Sequence, residues 1–264
     1  MANYVIMIIA HYSLGKLAFL IALGITPSLI WMWYYLRKDI NPEPKGMVLK
    51  VFLFGFCSTF IAFGIEWVLI TALLDLKTSC PRCELIIPQL LGATGAGPIL
   101  FTLSFMVLGI LAFVEEWVKF VAARLEIIRS RYFDEPVDAM IYCVIAALGF
   151  AAAENIGYIL QNADYAIGIA YFRFISSTLL HTFASAILGY FFALSIIHAT
   201  KRIVLVSTGL ALATVLHTLF NFLIITSEQG GYTMALVILL MVFSYFFVLH
   251  LFERVKKLSF VHIS

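Results

Sequence analysis

Apolar residues run through this chain in blocks too long for a soluble core. Uncharged stretches cover 17–36, 85–114, 174–200, 203–227 and 229–252, each near or beyond the ~20 residues that a helix needs to cross a bilayer. Two further apolar segments, 47–74 and 137–160, carry Glu66 and Glu154 in mid-span. The pattern predicts an all-α, polytopic transmembrane bundle of about seven spans, at 14–36, 47–74, 97–124, 136–161, 168–199, 202–226 and 231–253. It reads as a single integral membrane domain over 1–264 with no long linker. Residues 1–13 are also apolar and either extend the first helix or lie at the interface. No basic lead precedes them and no small-residue cleavage site follows, so a removable signal peptide is not expected.

Composition agrees with the pattern. The chain is 63% hydrophobic and 12% charged, with a mean hydropathy of +1.03, whereas soluble domains are about half apolar and a quarter charged. With 17 Lys+Arg against 15 Asp+Glu, the net charge is only +2, which excludes a nucleic-acid surface. The placement of the basic residues is more telling than their number. One set of loops and helix ends holds 13 of them: Arg37, Lys38, Lys45, Lys50, Lys119, Arg124, Arg129, Arg131, Lys201, Arg202, Arg254, Lys256 and Lys257. The other set holds Lys16, Lys77, Arg82 and Arg173. The positive-inside rule then puts the first set and the C-terminus in the cytoplasm, and the N-terminus outside. Trp31, Trp33, Tyr34 and Tyr35 are expected to form an interfacial aromatic belt beside Arg37.

The largest loop, 75–96, falls outside and contains Cys80-Pro-Arg-Cys83. A local disulfide or two free thiols are expected there. A structural zinc site needs four ligands, and Cys57 and Cys143 lie within predicted helices. Gly92, Gly95 and Gly97 read as a flexible turn, because no Lys-Ser/Thr follows to make a phosphate cradle.

Ionisable groups inside the bilayer cost roughly 2.5–3.5 kcal/mol each on insertion scales, so each one calls for a function or a partner. The third span carries Glu115-Glu116-Trp-Val-Lys119. Glu115 and Lys119 stand one turn apart and are expected to pair; Glu116 is rotated by about 100° and can face the same cavity. Two adjacent carboxylates in a low dielectric cannot both ionise cheaply, which suits a proton acceptor for water. Read structurally, the same residues are a bridge near the interface with Lys119 snorkelling. The fourth span carries Phe150-Ala-Ala-Ala-Glu154-Asn155. Small residues at 146, 147, 149 and 151–153 permit close helix contact and bring Glu154 against a neighbour. The fifth and sixth spans carry His181-Thr182 and His217-Thr218, with Asn221 one turn beyond His217. Two imidazoles and a carboxylate can form a catalytic zinc site, here Glu154, His181 and His217. The histidines can equally polarise a carbonyl with no metal. Glu66 stands without a motif and is expected to pair or reach water, and Arg173 to pair with Asp164 or Glu154. Depths counted at 1.5 Å per residue put Glu115 about 10 Å from Glu154 along the membrane normal, a gap that helix tilts near 20° would close.

In order and spacing these motifs resemble the PrsW family of intramembrane proteases. Arg37-Lys-Asp39-Ile-Asn-Pro42-Glu43-Pro44 is similar to the family's charged Pro-Glu-Pro stretch. Glu115-Glu116-x-x-Lys119, Asp134-Glu135-Pro136-x-Asp138, Phe150-x-x-x-Glu154-Asn155, His181 and His217-x-x-x-Asn221 follow it. The resemblance spans about 37–226, and also implies membership of the wider superfamily of prenyl-protein endopeptidases and bacteriocin-immunity-like membrane proteins. It implies a multi-pass protein of the cell membrane that hydrolyses membrane-anchored protein substrates of the anti-sigma-factor type. Glu115, Glu116, Glu154, His181 and His217 would then be catalytic. Lys119, Asn155, Asn221 and Phe150 would support them, with a glutamate-only or a zinc-dependent mechanism. The Cys80/Cys83 pair is a departure from the family pattern. Two other readings compete with the protease: a proton-coupled transporter or sensor, which would call for inverted repeats, and a catalytically silent, immunity-like binding protein.

Overall fold

The computed structural model describes residues 12–38, 41, 43–79, 98–127, 130, 132–227 and 231–258. Eight α-helices lie within them: α1 (Leu14–Leu36), α2 (Lys45–Ser79), α3 (Pro98–Ile127), α4 (Pro136–Gln161), α5 (Ala166–Ile175), α6 (Ser177–Ile197), α7 (Arg202–Ser227) and α8 (Gly231–Val255). Short 3₁₀ turns at Ala163–Tyr165 and Ala199–Lys201 lead into α5 and α7. No strand occurs among the described residues. Six segments are long and apolar enough to cross a membrane: α1, α2, α4, α5 with α6, α7 and α8. The remaining long helix, α3, carries Glu115, Glu116 and Lys119. The Cys80/Cys83 pair and the glycine turn after it lie outside the described residues.

Helix α4 is the axis of the bundle. Its apolar window is 94% buried, against 22% for α1, and it packs against α1, α2 and α6. Small residues make this possible, as the sequence predicts. A Cβ on Gly149 would overlap the carbonyl oxygen of Phe52, and one on Gly55 would overlap the carbonyl of Ala146. The backbones of α2 and α4 are therefore in direct contact through a pair of glycines. The Asp134-Glu135-Pro136-x-Asp138 motif starts this helix. Pro136 occupies the first turn, where its missing N–H costs nothing. The Asp138 carboxylate accepts hydrogen bonds from the backbone N–H of Asp134 (3.1 Å) and Glu135 (2.8 Å).

The fifth predicted span, 168–199, is not one helix. It breaks at Ser176 (φ −120°, ψ −93°) into α5 and α6. Neither Gly nor Pro marks the break, which is why periodicity alone passes over it. The freed carbonyls at the end of α5 find donors: Trp31 Nε1 gives a hydrogen bond to Phe174 O (2.9 Å) and Ser176 Oγ one to Phe172 O (2.6 Å). Such replacement is obligatory where no water is at hand. Trp31 is thus a structural prop rather than part of an interfacial belt, and Tyr35 is buried at 1% exposure. Trp33 keeps the expected character, exposed and with the Arg37 guanidinium 3.8 Å above its ring.

Candidate functional site

Four helices bring their polar residues to one place. From α3, Glu115 Oε2 lies 3.9 Å from His181 Nδ1 on α6 and 3.7 Å from His217 Nε2 on α7. The two imidazole rings meet edge to face with centroids 5.0 Å apart. From α4, Glu154 Oε2 lies 2.9 Å from His181 Nε2. The 10 Å gap counted from upright helices is closed, and all five residues singled out as catalytic fall within one connected group.

The two neighbouring glutamates on α3 do different things. Glu116 is fully buried, and its Oε1 accepts from Lys119 Nζ (2.6 Å) and from His217 Nδ1 (2.7 Å). The Oε2 atoms of Glu115 and Glu116 are both buried with no hydrogen-bond partner, but only Glu115 lines a cavity. The expected Glu115–Lys119 pair is therefore corrected to Glu116–Lys119. Positions i+3 and i+4 are about equally near on a helix, and the second acceptor on α6 decides the matter. Lys119 Nζ also lies 2.9 Å from His181 Nδ1, and both side chains of the Glu116–Lys119 pair have zero exposure. Lys119 thus sits inside the protein and does not snorkel.

These contacts fix the imidazole tautomers. An ammonium only donates, so His181 Nδ1 accepts from Lys119 and His181 Nε2–H donates to Glu154. His217 Nδ1–H donates to the Glu116 carboxylate, which turns the Nε2 lone pair toward Glu115. Each histidine is thus held by a carboxylate on its outer nitrogen, the arrangement that orients imidazoles in metal and acid–base sites. Phe150 packs against this group, its ring 5.4 Å from that of His181 and 5.0 Å from Lys119 Nζ.

Arg173, on α5, is the residue that sequence reasoning undervalued. It donates from Nη2 to Glu154 (2.8 Å) and from Nε to Asn155 Oδ1, and its guanidinium lies 4.1 Å from the centroid of the Tyr158 ring. Asn155 in turn donates to Thr178 Oγ1 (3.1 Å). The available signal was a lone cation in a long apolar stretch, which must find a partner. Of the two carboxylates considered for it, Glu154 is the partner. Arg173→Ala leaves Glu154 buried with one donor fewer and is expected to lower thermal stability by about 3–5 kcal/mol. Arg173→Lys should lose less. Thermal melting of purified protein distinguishes the two.

The cavity, about 570 Å³, is lined by Glu115, Glu154, Arg173, His181, His217 and Asn221 on its polar side. Leu108, Ile169, Phe172, Phe220 and Ile224 form an apolar side. Size and lining suit a site for a peptide segment with an apolar side chain. Glu66, on α2, is absent from the cavity lining and its Oε1 is buried without a hydrogen-bond partner, yet it lies near enough to interact electrostatically with Glu115, Glu154 and Lys119.

Residues 43–249 match the family described as "PrsW family intramembrane metalloprotease". The chain belongs to the PrsW family of intramembrane proteases. It is similar to "Protease PrsW" of Geobacillus kaustophilus (strain HTA426), 27% identical over 83% of this chain and 86% of that protein. The Bacillus subtilis (strain 168) "Protease PrsW" is 24% identical over 92% of this chain and 99% of its own length. The Clostridioides difficile (strain 630) protein of the same name is 27% identical over 83% and 84%. No solved structure matches the chain. As a PrsW family member this is a multi-pass membrane protein and a protease, so a transporter or a silent binding protein is set aside.

The family's metalloprotease description can be tested against the donors present. Glu115, His181 and His217 bring one ligand atom each within 4.8 Å of one another, the two-His-one-carboxylate set of many catalytic zinc sites. In this candidate set the carboxylate is Glu115, and the sequence offers Glu154 in the same role. The Glu154 oxygen is already engaged by Arg173 and His181. Glu115 Oε2 and His217 Nε2 fit a metal directly. The His181 Nδ1 lone pair is directed at Lys119, so His181 would be free to hold a metal only if Lys119 were paired with Glu116 alone.

Proposed function

We propose that this PrsW family protease hydrolyses peptide bonds of membrane-anchored proteins, with Glu115 as the group that takes a proton from the attacking water. By the family resemblance, the substrates are anti-sigma-factor-like proteins cut at an extracytoplasmic position. The observation that carries the reading is the unpaired Oε2 of Glu115, buried beside two imidazoles on the wall of a cavity. A carboxylate with no donor of its own is a ready proton acceptor. Glu116 and Glu154 are already committed to Lys119, Arg173 and the histidines, and act by holding the imidazoles in place. Arg173 and Asn221 are the donors on the cavity wall that can receive the charge developing on the scissile carbonyl oxygen. The apolar side of the cavity accepts an aliphatic or aromatic side chain next to the scissile bond.

In the alternative, metal-dependent reading, Glu115 would be a ligand and not the free proton acceptor, and with His181 and His217 would hold a divalent ion such as zinc. When bound, it supplies Lewis acidity toward water and the substrate carbonyl. A metal-free reading is favoured by one contact, the Lys119 ammonium on His181 Nδ1, which puts a positive charge where an ion would otherwise sit. Metal analysis of the purified protein separates them. The metal reading expects about one zinc or similar ion per chain, lost in His217→Ala together with hydrolysis. Full hydrolysis by chelator-treated, metal-free protein would establish the glutamate-only reading.

A further inference from the structure

A second cavity, of about 490 Å³, lies at the other end of α3 from the active-site cavity. It sits where α6 ends and α7 begins, and its walls include Phe120, Phe133, Phe192 and Val206. The rings of Phe120 and Phe192 meet edge to face at 5.2 Å, which makes this wall firm. Two arginines, Arg124 and Arg202, complete the lining. Both are exposed, and among the described residues neither has a carboxylate within ion-pair distance. Beside them, Ile203 and Val204 at the start of α7 are 82% and 67% exposed.

We propose that this cavity binds an anionic phospholipid, with Arg124 and Arg202 on the headgroup phosphate and the acyl chains lying along Ile203 and Val204. The argument is complementarity. Two guanidinium groups offer planar forks matched to phosphate oxygens. An apolar wall and exposed aliphatic residues adjoin them, in a membrane protein, at the ends of spanning helices. A soluble anion would satisfy the arginines and leave the apolar wall bare, and a zwitterionic lipid would bring its own ammonium beside the two guanidinium groups and so lose most of the attraction of its phosphate. Basic pockets between spanning helices are where anionic headgroups are recognised, at about 1 kcal/mol per basic residue. The cavity also shares α3 with the catalytic group, since Phe120 follows Lys119 directly.

The test uses the full chain purified in detergent, with bound lipid counted by native mass spectrometry. Phosphatidylglycerol should bind in preference to phosphatidylcholine. R124Q/R202Q should weaken the phosphatidylglycerol complex by about 30-fold, the equivalent of the two basic contacts, and weaken the phosphatidylcholine complex far less. R124K/R202K, which keeps the charge and loses the planar forks, should bind between wild type and the glutamine variant. Should the glutamine variant fail to fold, V206W fills the cavity without touching its charge and should show the same loss. Equal binding of the two lipids, or undiminished phosphatidylglycerol binding in a folded R124Q/R202Q or V206W, overturns the proposal. So does displacement of the lipid by glycerol phosphate alone, which would mark a site for soluble anions.

Discussion

Glu115→Gln is expected to lower hydrolysis by about 10²–10⁴-fold, the range for removing a positioned proton acceptor, while leaving the protein folded and as stable as the wild type. The amide is nearly isosteric with the carboxylate and cannot take a proton from water. No hydrogen bond is broken at Oε2, because that atom has no partner in the native structure. Stability should hold for the same reason: a buried carboxylate without a donor is a cost to the fold, not a support. The measurement compares new protein N-termini in membranes of cells that make wild type or Glu115→Gln at matched levels. Termini that appear only with wild type identify both the activity and its substrate. Identical termini in the two samples, with the variant shown to be folded, would remove Glu115 from the centre of the mechanism.

The contrast between Glu115 and its neighbour shows how far the sequence could be read. Placing the carboxylates, the histidines and Arg173 in apolar helices needs only the high cost of charge in a bilayer. The small residues of α4 likewise foretold the close contact that Gly55 and Gly149 make. What linear spacing does not carry is which of two adjacent side chains meets which partner. Lys119 is one turn from both Glu115 and Glu116, and the choice depends on His181, 62 positions beyond Lys119, and on His217, 101 positions beyond Glu116. The break at Ser176 was hidden for a related reason. One of its freed carbonyls, Phe174 O, is satisfied by Trp31 from α1, a tertiary contact that leaves no mark on local periodicity. The sequence offers Arg173 two partners, Asp164 and Glu154, and only the fold selects Glu154.

The opposite behaviour is expected of Glu116. Glu116→Gln removes the one negative charge in contact with Lys119, whose side chain has zero exposure. A buried ammonium left without its counter-charge is worth about 3–5 kcal/mol of lost stability, so this variant should melt well below wild type or fail to accumulate. Removing both charges should undo most of that loss, since replacing a buried ion pair by neutral groups of similar volume is often neutral or stabilising. Glu116→Gln/Lys119→Met is therefore expected to recover stability to within about 1–2 kcal/mol of wild type. It should not recover hydrolysis. Glutamine accepts more weakly from His217 Nδ1, and His181 Nδ1 has lost the donor that selected its tautomer. Thermal melts of wild type, both single variants and the double variant make a complete cycle, in which the coupling between Glu116 and Lys119 is read directly. A coupling near zero would mean that the pair does not hold the α3 site together. A double variant that regained full hydrolysis would show that Glu116 and Lys119 are structural filling and that Glu115 and the histidines suffice without them.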